Sequence, residues 1–125
     1  MISISFTKLS LDLLLIFFFP FLYFKQESSI TILQGQTAPM PNGIPTYTAQ
    51  VHNICVSGNC NIGNIHLSCG WFSTARTINP SVFRRLAYDD CLVNDGKPLR
   101  PGQTIIFSYA NTFSYPMAVK SVTCF

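Results

Sequence analysis

Apolar and polar residues alternate strictly along much of the second half of the chain, and that period of two is the signature of half-buried antiparallel strands. Thr46–His52 puts Tyr47, Ala49 and Val51 on one face and Thr48, Gln50 and His52 on the other. Asn64–Cys69 repeats the pattern with Ile65, Leu67 and Cys69 turned inward, which leaves His66 toward solvent. Thr104–Ala110 aligns Ile105, Phe107 and Tyr109, and Met117–Cys124 reads as a less regular strand. Ile30–Leu33 and Cys91–Val93 are shorter candidates. Turn formers separate these segments: Pro39-Met40-Pro41-Asn42-Gly43, Asn94-Asp95-Gly96, and Pro101-Gly102, which suits the centre of a type II turn. One helical turn is predicted over Asn79–Leu86, with Asn79 as cap, Pro80 at the first helical position, and Val82, Phe83 and Leu86 on a shared face. The expected fold is an all-β antiparallel sandwich with at most that short helical turn, one domain spanning residues 28–125.

A different pattern precedes it. Leu9–Phe24 holds thirteen apolar residues in sixteen, broken by Ser10, Asp12 and Pro20 and preceded by Lys8. A spanning helix needs about 20 apolar residues, so the run predicts no stable membrane span. It reads as a secretory signal over residues 1–25, although no small-x-small cleavage site follows it. An exported chain meets an oxidising compartment, where thiols pair.

Composition changes the picture at two points. Residues 26–125 carry six Lys/Arg against four Asp/Glu, too sparse a basic face for phosphate-driven nucleic-acid binding. Charged residues are 10% of the whole chain, against ~25% in ordinary soluble proteins, so the surface is built from neutral groups. The five cysteines, Cys55, Cys60, Cys69, Cys91 and Cys124, predict a disulfide-stapled domain with two bridges and one thiol left over. Fifteen such patterns exist, and spacing does not rank them. His52, Cys55, Cys60, His66 and Cys69 fall within eighteen residues, but the spacing fits no standard zinc module and oxidation competes for the thiols. No cofactor is expected.

Catalytic chemistry finds little support. Asp89 and Asp90 are adjacent, so in an extended segment they point to opposite faces; a solvated turn or pairing with Arg84 and Arg85 accounts for them. Trp71-Phe72 follows Cys69-Gly70 directly, and is either core packed on a disulfide or an exposed platform for a sugar or a receptor. Arg84-Arg85 is a contact to a partner's carboxylates, a processing site or a solvated pair. The chain is not read as an enzyme.

Three stretches, Gly70–Arg76, Asn79–Leu86 and Tyr88–Gly96, together with Pro101–Thr104, Phe107-x-Tyr109-Ala110-Asn111 and Phe113–Pro116, resemble the plant tapetum-determinant family from about Gln34 to Cys124. The resemblance implies a small secreted cysteine-rich ligand of a leucine-rich-repeat receptor kinase ectodomain, acting in the apoplast to specify cell fate in anthers. Relatives of that kind usually carry a further cysteine where Lys25 aligns, which accounts for the odd count. The neutral surface suits the concave face of a repeat receptor, with Trp71, Arg76, Arg84, Arg85, Asp89 and Asp90 as contact candidates. The alternative is a cell-wall carbohydrate-binding module, which a coplanar row of exposed rings would favour.

Overall fold

The computed structural model describes residues 29–56 and 60–125. The predicted signal segment lies outside the described residues. Among the described residues seven strands follow one another: β1 Ile30–Thr37, β2 Thr46–Asn53, β3 Ile62–Ser68, β4 Phe83–Ala87, β5 Asp90–Val93, β6 Thr104–Ala110 and β7 Ala118–Cys124. They form two antiparallel sheets, ordered β1-β2-β6 and β4-β5-β3-β7. The all-β sandwich expected from the alternation is the fold observed.

Alternation decides what lies between the sheets. Ala49, Val51, Phe107 and Tyr109 enter from the three-stranded sheet, and Ile65, Leu67, Phe83, Cys91 and Val93 from the four-stranded one. Phe83 stacks on Phe107 across the gap, with centroids 4.1 Å apart and planes within 14°. Phe72 meets Phe83 and Tyr109 edge-on at 5.0 and 5.1 Å. Buried polar groups are satisfied where they matter most. Asn53 donates from Nδ2 to the carbonyls of Cys60 and Leu99 and accepts from the Cys55 amide, so a fully buried amide ties the β2–β3 loop to the β5–β6 loop.

The turns follow their chemistry. Gly102 takes φ 84°, and the Gln103 amide bonds the Arg100 carbonyl at 2.9 Å. Asn94, Asp95 and Gly96 all adopt positive φ in a 3₁₀ turn, Asn94–Gly96. Asn64, at φ 46°, marks an irregularity where the β3–β7 register shifts.

The helical turn expected over Asn79–Leu86 is corrected. Asn79 does cap a single turn: its Oδ1 accepts from the Ser81 amide at 3.0 Å, and its carbonyl from the Val82 amide at 2.9 Å. From Phe83 onward, however, the chain is strand β4, paired with β5 from Phe83↔Val93 to Ala87↔Asp90. Burying Phe83 against Phe72 and Phe107 from a strand that pairs with β5 wins over continuing the helix.

Two disulfides form, Cys55–Cys60 and Cys69–Cys91, and Cys124 is free and exposed. The bridges consume the thiols that a zinc site would need. Its two histidines sit on different sheets, His52 in β2 and His66 in β3.

Candidate functional site

Beyond β3 the chain must leave the sheet, and Gly70 turns it at φ 58°. That reversal separates the next two residues: Trp71 is 65% exposed, while Phe72 is buried at the centre of the aromatic core. The pair read together in the sequence has two fates. Just before the turn, Cys69 is tied to Cys91 at the start of β5, which brings the β4–β5 hairpin alongside.

The hairpin tip is the two-residue turn Tyr88-Asp89, closed by Ala87 opposite Asp90. Asp89 stands at φ 59°, a region that a short polar side chain tolerates. Its Oδ1 accepts from Ser68 Oγ at 2.6 Å and from the Gly70 amide at 2.8 Å. Its own amide donates to the Gly70 carbonyl at 2.8 Å, and Lys120 Nζ donates to its carbonyl at 3.1 Å. The Ser68 hydroxyl, then the Gly70 amide, with the Lys120 charge adding less, hold the Asp89 carboxyl below its ordinary range. One carboxylate thus clamps two turns.

What the clamp presents is aromatic and cationic. Tyr88, 58% exposed, packs its ring 4.8 Å from that of Trp71 at a tilt of 50°. The Arg85 guanidinium carbon lies 5.0 Å from the Trp71 ring centroid, and Arg85 Nε donates to the Phe72 carbonyl at 3.1 Å. Guanidinium over indole is a cation–π arrangement, and here it holds Arg85 in place beside an apolar surface. On the neighbouring outer face of β3, half-buried His66 contacts Asp90 at 2.6 Å between Nδ1 and Oδ1.

Of the residues singled out in the sequence, Trp71, Arg85 and Asp89 come together here, with Asp90 alongside. Arg84 does not. It sits on the opposite side of β4, bonding Asp95 at 2.8 Å and the Pro80 carbonyl at 3.1 Å. Arg76 is exposed on a loop beside β6, lining an open groove with Ile78 and Ile106. Pairing of Asp89 and Asp90 with Arg84 and Arg85 is corrected: the aspartates take Ser68, Gly70 and His66 instead. The reason is geometric, since the left-handed turn at Asp89 folds its carboxylate back over β3. Sequence reasoning missed Tyr88, Ser68 and Lys120. Tyr88 was legible only as the residue preceding an acidic pair, and Lys120 is brought in by a strand 31 positions later. Trp71 and Tyr88 are tilted against each other, and among the described residues they do not form a coplanar row.

A family model described as Tapetum determinant 1, C-terminal, matches residues 26–125, the region that holds both sheets and this cluster. The chain belongs to the tapetum determinant 1 family. Among curated proteins, TPD1 protein homolog 1 of Arabidopsis thaliana is 61% identical over 99 residues, covering 79% of this chain and 55% of that protein. TPD1 protein homolog 1A of Oryza sativa subsp. japonica is 48% identical over 100 residues, covering 76% and 44% respectively. TPD1 protein homolog 1B from the same rice is 39% identical over 98 residues, covering 78% and 57%. The chain therefore spans about half the length of these family members. No solved structure matches it. Among the described residues no helix is long and apolar enough to cross a membrane.

Proposed function

We propose that this tapetum determinant 1 family member is a secreted protein ligand without catalytic activity, which docks on the ectodomain of a leucine-rich-repeat receptor kinase and specifies cell fate in the plant anther. Residues 1–25 serve as the export signal and residues 28–125 as the signalling domain. The observation that carries the reading is the exposed Trp71–Tyr88–Arg85 cluster, fixed in place by the Asp89 clamp and the Cys69–Cys91 bridge. Tryptophan, tyrosine and arginine are the residues that most often dominate protein interfaces, and rigid presentation lowers the entropy lost on docking. Two disulfides support an extracellular destination. Arg85 and Asp90 flank the aromatic pair as polar contacts, whereas Arg84, on the opposite side of β4, and Arg76, beside β6, lie outside the cluster. The tilt of 50° between Trp71 and Tyr88 speaks against the carbohydrate module, which stacks sugars on parallel faces.

Binding of the secreted protein to a panel of plant leucine-rich-repeat receptor ectodomains, measured by interferometry, tests this. One ectodomain should bind, and Trp71→Ala should weaken it by about 2 kcal/mol, roughly thirtyfold. Failure to bind any member of the panel would overturn the ligand reading. Full affinity in a Trp71→Ala, Arg85→Ala double variant would move the interface elsewhere.

A further inference from the structure

A sheet edge offers unpaired backbone amides and carbonyls, and proteins normally guard it with charge, proline, bulges or a covering loop. Three of the four edge strands here are guarded. β4 carries Arg84 and Arg85 and a register shift before Ala87. β7 carries Lys120 and pairs with β3 through two register shifts. β6 is covered at its end by the loop of Thr74 and Ala75, which bonds both the amide and the carbonyl of Ala110. β1 has none of these. Ile-Thr-Ile-Leu-Gln-Gly-Gln-Thr pairs with β2 in eight consecutive partners without a shift, and holds no charge and no proline. It is the one edge strand left open in this way among the described residues.

The side chains on its outer face continue the open edge. Leu33 is 62% exposed and lies in a cross-strand row with Gln50 and Ile106, the last 58% exposed. Gln34, on the other face, is held by Tyr109 and Tyr115, so the strand is fixed in its sheet rather than free to slip.

We propose that β1 is the seam of a symmetric dimer, in which a second copy of the chain pairs antiparallel along this edge and joins two three-stranded sheets into one of six strands. A two-fold axis at Leu33 sets Leu33 against Leu33 of the partner subunit and extends the row from Ile106 through both copies. The same axis sets Thr31 opposite Gly35 of the partner subunit, where no neighbouring atom lies within 4 Å of a side-chain position. A second copy is the occupant because the strand is complementary to itself and the seam brings no like charges together. A seam of seven residues per chain, Ile30–Gln36, is small, so the dimer forms reversibly and with concentration.

Sedimentation velocity of the secreted protein over a wide concentration range tests the seam. The wild type should move from monomer to dimer. Leu33→Lys should shift the midpoint upward by roughly tenfold or more while leaving the circular dichroism unchanged, because it opposes two like charges. Mixing Leu33→Lys with Leu33→Glu chains should restore association, which a variant that merely misfolds cannot do. Cys124→Ser should leave the dimer intact. A wild type that stays monomeric throughout, a dimer indifferent to Leu33→Lys, or one abolished by Cys124→Ser would each overturn the seam.

Discussion

Asp89 is accommodated at φ 59° because its carboxylate accepts from Ser68 and Gly70, and those bonds favour the charged form. A carboxyl held below its ordinary value, 3.8, contributes stability that is present above that pH and lost as pH falls through the lower folded value. Asp89→Asn keeps the turn geometry and removes the charge. Its urea midpoint should lie below that of the wild type at neutral pH, and the gap should close as acid protonates the wild-type carboxyl below pH 3.8. A gap that persists unchanged into acid would mean that the charge contributes nothing. Tyr109 shows the opposite sign. Burial raises its phenol above the ordinary 10.0, while its hydroxyl donates to Gln34 Oε1 and accepts from the Tyr115 amide. Its contribution is therefore full below pH 10.0 and is lost as pH rises through the folded value. Tyr109→Phe leaves both partners unpaired and should cost about 1–3 kcal/mol in denaturant unfolding near neutral pH. Neither role was legible in the sequence, where Tyr109 counted only as an inward residue and Asp89 as half of an acidic pair. Alternation states which face a side chain takes, not which atom it will reach.

Strands were legible wherever period two persisted, and the boundaries of Thr104–Ala110 coincide with those of β6. β1 extends four residues beyond Ile30–Leu33, because Gln34 and Gln36 obscure its apolar face while its backbone stays paired as far as Thr37. β4 was hidden by a genuine capping signal at Asn79-Pro80: local chemistry specified one turn, and pairing with β5 captured the rest. Helix propensity is a weak prior against a ladder that buries Phe83. The bridges belong to the same scale. Sequence gave their number and structure gave their partners. Cys69–Cys91 closes a separation of 22 residues and Cys55–Cys60 one of 5. Chain entropy then assigns about 3 kcal/mol to the longer loop and about 2 kcal/mol to the shorter. A Cys69→Ala, Cys91→Ala double variant should therefore lose more unfolding free energy than the Cys55→Ala, Cys60→Ala pair, measured by guanidinium denaturation without reductant. The reverse order would show that the loop-closure term does not govern these bridges. The longer bridge also holds the hairpin under Trp71, so its loss should weaken receptor binding where loss of the shorter one does not.

A surface with so few charges sets the terms on which the whole molecule meets a partner. Across residues 26–125, six basic side chains face four acidic ones, and one of each is already committed in the pair Arg84–Asp95. Among the described residues near the aromatic cluster, Arg85 and Lys120 carry the positive charge, and both are engaged with backbone carbonyls. Half of this site was legible: Trp71 and the charged residues drew notice as residue types, but their assembly depends on Gly70 and on a hairpin that the sequence disguised as a helix. Long-range steering needs a dense field of one sign, which this surface lacks. For the docking proposed above, affinity at the cluster would then rest on burying Trp71 and Tyr88, a contribution that salt does not screen. Raising the ionic strength from 0.15 M to 1 M shortens the screening length from about 8 Å to about 3 Å. Over that range, receptor affinity should fall by less than about tenfold, with the change confined mainly to the association rate. Trp71→Ala should instead act on the dissociation rate. A loss of a hundredfold or more with salt would place the binding energy on charge and displace the aromatic cluster from the centre of the interface.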